Sequence, residues 1–297
     1  MELRQLRSLI TLVECDFSVS RTAEKLFLVQ SAVSQHITRL EHELGLQLVI
    51  RQGKRITGLS RHGQKVLQFG NNMISSEQSI LDVSLEQQDQ KKGILRIGAT
   101  HTQARYVLPP VIRAFNKIYP QVELQLYQSN PGELADMALR DIVDMSICTE
   151  ALASHEGLIS MDCYHWNRSV ITLPEHPLTR LKKISFNSLC KYPVITYVQG
   201  FTGRGHFDNA LEKAGLSAHI VLSAADTDVI KTYVREGMGI GIIASMAYDE
   251  KTDSGLVKMD LSHLFEQEST MIAYKKDKYI RSYQTYFMQL FQKMAKD

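Results

Sequence analysis

Apolar residues in the first sixty positions recur at helical spacing in three short blocks. Leu3, Leu6, Ile10 and Val13 mark the first, Ala23 and Leu26 the second, and Val33, Ile37, Leu40 and Leu44 the third. The second and third blocks are joined by almost no connector. The third, from about Gln30, shows a polar face of Gln30, Ser31, Ser34, Gln35 and Thr38. Two helices meeting across a tight turn, the second apolar behind and polar in front, match a helix-turn-helix that reads base edges. A small helical hairpin with a solvated polar face would give the same pattern. The first block can close a three-helix core over Ala23, Leu26, Val33 and Ile37. Leu46–Ile50 and Arg55–Leu59 then flank Arg51-Gln52-Gly53-Lys54 as a basic wing, in which Arg51, Lys54 and Arg55 suit DNA phosphates.

From Ser60 to about Glu86 the pattern is helical and free of proline, with Ser60 as cap and Leu67, Ile74, Leu81 and Leu85 along one seam. A surface helix packed on its own domain and a dimerisation helix both fit. The dimer reading explains better how so long a seam is buried, and Gly70 would permit close approach of a partner. Residues 87–92 are polar and read as a linker. Beyond them strands and helices alternate, the strands at Ile94–Gly98, Val122–Tyr127, Asp144–Cys148, Ser169–Leu173, Val194–Tyr197, Ile220–Ser223, Ile240–Ala244 and Thr270–Tyr274. Helical runs lie between them, and a last one covers residues 281–295. This alternation predicts an α/β class with mostly parallel sheets.

Composition narrows the field. The 297 residues are too many for one winged helix and suit two or three compact units. Residues 1–65 hold 10 Lys and Arg against 6 Asp and Glu, so the basic excess lies where DNA would lie. No apolar run approaches the roughly 18 residues needed to span a membrane, and the chain enters its first helix without a signal peptide, so a cytoplasmic location is expected. Cys15, Cys148, Cys163 and Cys190 lack metal-ligand spacing and fit reduced, buried thiols.

Glu43-Leu44-Gly45, Leu48, Arg51, Leu59-Ser60, Gly63 and the Ala-Val-Ser run of the third helix resemble the LysR-type transcriptional regulators, and the resemblance spans the chain. Two departures from the pattern matter. Leu28 and Val29 stand where relatives place a hydroxyl before the glutamine that opens the recognition helix, and Val49 replaces a common phenylalanine. The resemblance implies a winged helix-turn-helix (1–60), a linker and dimerisation helix (61–92), and a periplasmic-binding-protein-like effector module of two Rossmann-like subdomains (93–297). Subdomain I would comprise about 93–162 and 268–297, and subdomain II about 163–267, with crossings near Asp162 and Glu268. It also implies double-stranded promoter DNA and a small effector as partners, assembly as a dimer or tetramer, and leaves room for RNA polymerase. No cofactor or metal is expected.

The strand Ile94–Gly98 runs into Thr100, Thr102 and Gln103, Asp144–Cys148 ends at Thr149, and Thr202 precedes a helix after Val194–Tyr197. Hydroxyls and free amides at strand ends make an anion cradle, although threonine at such turns also serves as a plain helix cap. Residues 100–105, 163–168, 200–204 and 228–234 further resemble the cysteine-regulon activators within the family. That likeness implies a sulfate or acetylserine-type effector, with Thr100, Thr102, Gln103 and Thr149 facing it from one subdomain and Trp166 and Thr202 from the other. Arg105, Arg168 and Arg204 lie nearby, but ion pairing within the fold is their expected fate.

An enzyme would need a nucleophile and base or a metal set. Cys163 and His165 would share a strand face, but no third partner is visible. Gly237-Met238-Gly239-Ile240-Gly241 lies between a helix and a following strand, the reverse of the order in a dinucleotide loop. Catalysis is therefore not expected. Two alternatives remain: a regulator of another pathway with a different effector, and a solute-binding protein sharing the cleft fold.

Overall fold

The computed structural model describes residues 1–53 and 55–294, with Thr202 described by its backbone alone. Lys54, expected on the wing, and the Thr202 side chain, expected in the cleft, therefore lie outside the described residues. The chain divides into two compact units, Met1–Gln88 with Lys278–Ile280, and Asp89–Asp277 with the C-terminal helix.

The first unit contains α1 (Leu3–Glu14), α2 (Val19–Lys25), α3 (Gln30–Leu44), the hairpin β1 (Val49–Gln52) and β2 (Arg55–Leu59), and α4 (Arg61–Gln88). Its core is Leu6, Leu9 and Leu12 of α1 with Ile37 and Leu40 of α3 and Leu48, Val49 and Ile56 of the hairpin region. The stripe expected on α1 is thus rotated. Leu3 is exposed, and Ile10 turns with Leu6 toward Gly70 of α4. The physical reason is that α1 serves two neighbours, α3 and α4, so a single seam cannot describe it. Gly70 accordingly admits α1 rather than a partner: a Cβ there would stand 3.3 Å from Leu6 Cδ2. Val49 is fully buried, so the smaller side chain is still part of the core. Ser60 caps α4, its Oγ accepting from the Gly63 amide at 2.9 Å.

Along α4, Leu67 and Ile74 are half-buried, while Phe69, Met73, Ile80, Leu81, Val83 and Leu85 stand exposed. So much apolar surface on one helix is what a partner helix would cover.

The second unit holds two five-stranded sheets among the described residues, here called lobes I and II. Lobe I has the strand order β4-β3-β5-β12-β6, built from β3 (Lys92–Ala99), β4 (Gln121–Gln128), β5 (Met145–Thr149), β6 (Leu158–Trp166) and β12 (Glu268–Lys275). Its helices are α5 (Leu108–Ile118), α6 (Pro131–Leu139) and α10 (Ser282–Met294). Lobe II has the order β11-β7-β10-β8-β9, from β7 (Arg168–Thr172), β8 (Val194–Tyr197), β9 (Ile220–Ala224), β10 (Ile240–Ala244) and β11 (Val257–Asp260). Helices α7 (Phe186–Leu189), α8 (Thr202–Lys213) and α9 (Thr227–Arg235) belong to it.

The sheets are mixed rather than mostly parallel. In each, three neighbouring strands running in from one edge are parallel (β4, β3 and β5; β9, β8 and β10), whereas β12 is antiparallel to β5 and β6, and β7 is antiparallel to β10 and β11. The chain passes from β6 to β7 through Asn167 alone, so β6 stays in lobe I to Trp166, beyond the expected crossing near Asp162. Strand β11 escapes the sequence pattern because its alternation lasts only four residues, and β6, legible only around Cys163 and His165, because Asp162 and His165 interrupt its apolar positions; both lie at sheet edges.

Candidate functional site

In the first unit, α2 ends in a Schellman motif. The Phe27 amide bonds Glu24 O and the Leu28 amide bonds Ala23 O. The chain then turns directly into α3, whose N-cap is Val29, with no side-chain capping bond. The buried face of α3 is Val33, Ile37 and Leu40. Gln30, Ser31, Ser34, Gln35 and Thr38 are all exposed on the opposite side, as helical period requires. On the wing, Arg55 is exposed. Arg51 is instead held by Glu41 of α3, Nη2 to Oε2 at 2.8 Å and Nη1 to Oε1 at 3.3 Å. Glu41 also accepts from the Leu48 and Val49 amides. Burial alone would raise the Glu41 carboxyl, but these donors outweigh it and hold the group below its ordinary value.

In the second unit, a cavity of about 40 Å³ lies where the strand ends of the two lobes face each other. Thr100, at the end of β3, and Thr102 and Gln103, at the start of a π-helical turn (Gln103–Val107), line it together with Thr149 at the end of β5. Trp166 also lines it, but from the end of β6 in lobe I, not from the second lobe as expected, because β6 continues to the hinge. Among the described residues its buried indole N–H has no hydrogen-bond partner. Lobe II contributes Tyr197, Phe201, Gly203 and Ala244, and lobe I adds Pro131 at the start of α6. These five were not singled out from sequence. Tyr197 and Ala244 carry the same signal as Thr100 and Thr149, the C-terminal end of a central strand, but without a polar short side chain to mark it.

The walls are pre-ordered. Gln103 is buried, donates to Thr270 Oγ1 at 3.0 Å and accepts from the Tyr164 hydroxyl at 2.6 Å. Tyr197 accepts from the Ala244 amide at 3.2 Å and lies 2.9 Å from Thr227 Oγ1. Its hydroxyl is raised by burial and stays protonated. Phe201, the N-cap of α8, makes no side-chain capping bond, and the Arg204 and Gly205 amides donate to its carbonyl oxygen, so an anion here would meet the amides ahead of them. Among the described residues no lysine or arginine lines the cavity. The nearby arginines are paired within the fold: Arg168 with Glu268, Arg204 with Asp208 and Arg105 with Asp228. Arg168 is buried, which lowers its guanidinium to about 10, and it donates to Gly203 O at 3.0 Å.

Beside the cavity, the segment 101–106 of lobe I meets the start of α9 in lobe II along a ladder of polar contacts. His101 Nε2 lies 2.9 Å from Asp226, Thr102 Oγ1 lies 3.4 Å from Thr227 Oγ1, and Arg105 lies 3.1 Å from Asp228. Tyr106 donates to Asp228 and accepts from Lys231 at 3.0 Å.

Cys163 and His165 do not share a face. The register of β6 against β12 slips at this point, leaving Cys163 buried and His165 exposed. All four cysteines are free thiols, and burial pushes Cys148 up to about 12. Among the described residues no helix is long and apolar enough to cross a membrane.

A winged helix-turn-helix unit and a two-lobed unit with a small cleft at its strand ends define a ligand-responsive regulator built on DNA-reading and effector modules. Residues 3–64 match the family model of the bacterial regulatory helix-turn-helix protein, lysR family, and residues 88–296 match the LysR substrate binding domain. The chain belongs to the LysR family of transcriptional regulators and is not an enzyme. It is 41% identical to the HTH-type transcriptional regulator SsuR of Burkholderia cenocepacia, over 98% of this chain and 94% of that one. It is likewise 41% identical to the regulator CysB of Haemophilus influenzae, over 98% and 90%. The crystal structure of the cofactor-binding domain of the Cbl transcriptional regulator covers 67% of this chain and 87% of its own, with 40% identity and a TM-score of 0.65.

Proposed function

We propose that this LysR-type regulator controls genes of sulfur assimilation and cysteine biosynthesis in response to a small oxyanion held between the lobes. The observation that carries the reading is the cleft itself: about 40 Å³, walled by Thr100, Thr102, Thr149 and Trp166, with no cationic side chain among the described lining residues. Neutral donors can hold a sulfate-sized anion with moderate affinity and fast exchange, which suits a sensor. Likeness to CysB, Cbl and SsuR supports the pathway.

On this reading the protein acts in the cytoplasm as a dimer or a tetramer of two dimers, with the exposed seam of α4 as one contact. Gln30, Ser31, Ser34, Gln35 and Thr38 read bases in the major groove, Arg55 and Lys54 meet phosphates, and Arg51 fixes the wing to α3. Effector binding favours one arrangement of the lobes over another and so shifts the spacing of the DNA-binding heads. Calorimetry with sulfate, O-acetylserine and N-acetylserine tests the effector, and heat from none of them would overturn the assignment. Footprinting on sulfur-assimilation promoters, with and without the bound effector, tests the regulon. Gln30→Ala should relax sequence preference, whereas Arg55→Ala should weaken all duplexes and lower the salt slope by about one.

A further inference from the structure

The turn that leads into α3 carries three apolar side chains that the fold leaves exposed, Leu28 in part and Phe27 almost entirely. Phe27 is 96% exposed, Leu28 39% and Val29 67%. Phe27 is also strained, with φ at 55° in the left-handed region. It fills the position after α2 that glycine takes without steric cost, because a Cβ crowds the neighbouring carbonyl there. A bulky aromatic ring held in this conformation and left in water contributes nothing to folding. Val29 stands at the N-cap of α3 without a capping bond, where a hydroxyl would serve the helix better. All three run directly into Gln30 and Ser31, the first residues of the exposed polar face of α3.

We infer that Phe27, Leu28 and Val29 are specificity-determining residues that meet the 5-methyl groups of thymines beside the base pair faced by Gln30. The inference rests on the DNA-reading role proposed for α3. The patch is continuous in the chain with that interface, and the major groove presents one apolar group to such side chains, the thymine methyl. A hydroxyl at position 29 would hold a phosphate and carry no sequence information. The apolar turn exchanges that anchor for base discrimination at the edge of the site.

The test uses the full-length protein and the tightest duplex enriched from a random-sequence pool at fixed salt. Each thymine in turn is replaced by deoxyuridine, which removes only the methyl, and affinity is read by fluorescence anisotropy. The expected result is a loss of about fourfold at one or two positions per half-site, the size of one buried methyl. Val29→Ser should lose the methyl dependence, binding the parent duplex and its deoxyuridine derivatives alike. Phe27→Gly should bind the parent duplex more weakly while melting at or above the wild-type temperature, since φ of 55° suits glycine, so unfolding cannot account for the loss. Wild-type affinity unchanged by every replacement, or Val29→Ser with undiminished methyl dependence, would overturn the inference alone. Failure of the wild-type protein to enrich any duplex would overturn the reading role of α3 along with it.

Discussion

Lys231 Nζ lies 2.6 Å from Asp253 Oδ2 in the interior of lobe II, and both side chains are almost completely buried. The same ammonium lies 3.0 Å from the Tyr106 hydroxyl and 4.6 Å from that ring's centroid, so a buried cation in lobe II is shared with a residue of lobe I. Burial alone would raise the Asp253 carboxyl, but hydrogen bonds from Lys231, the Asp249 amide and Arg235 outweigh it and hold the group below its ordinary value.

Asp253→Asn therefore removes the close counter-charge of a buried ammonium and leaves it only Asp228, at 3.8 Å. A loss of about 3–5 kcal/mol is expected in denaturant unfolding of the effector unit. The pH dependence has a definite sign. A depressed carboxyl contributes fully above its unfolded value of about 3.9 and loses that contribution as pH falls through the lower folded value. The wild-type protein should lose stability in that acid window, and Asp253→Asn should show a shallower slope there.

Tyr106→Phe removes one hydroxyl that bridges Asp228 and Lys231 across the lobes while keeping the ring over the cation. Burial and then the Asp228 carboxylate raise this hydroxyl, so it donates throughout the neutral range. The expected cost in stability is about 1 kcal/mol. Because the lost bond joins the lobes, anion affinity should change as well, by about fivefold on the same scale. Calorimetry with sulfate reads the change, and an unaltered affinity would show that the ladder does not couple to the cleft.

Within the cleft, Trp166→Phe removes the indole N–H and preserves most of the ring. A lost hydrogen bond to an anion should weaken sulfate binding by roughly tenfold or more. Thr102→Ala should act in the same direction, and both variants should keep wild-type affinity for DNA when no anion is present. Retention of full sulfate affinity by both would remove the cleft as the effector site.

Glu41 links α3 to the wing through two amides and Arg51. Glu41→Ala should destabilise the N-terminal unit by about 1–3 kcal/mol, since it leaves the Leu48 and Val49 amides unpaired in the hairpin base. Arg51→Ala should give a smaller loss. If Arg51 serves the fold, its removal should lower the melting temperature of this unit and leave the salt slope of DNA binding unchanged.

Much of this protein is written in its sequence because local physics acts there. The helical period placed α3 and its exposed face from Gln30 to Thr38, and residues 108–118 and 194–197 form the helix and strand that the pattern requires. Thr100 and Thr149 lie at strand ends that alternation marks, with Thr102 and Gln103 in the turn that follows; the family resemblance assigned the four to the cleft, and the structure brings them to one cavity. Elsewhere the tertiary structure decided. The buried face of α1 depends on α4, which returns to it through Gly70. Trp166 belongs to lobe I because β6 pairs with β12, a strand about a hundred residues away that no local pattern links to it. Arg51 looked like a phosphate ligand until the fold placed Glu41 against it. Side-chain period is a property of neighbouring residues, whereas partnership across lobes, helices and sheet edges depends on which distant segments the packed core brings within bonding reach.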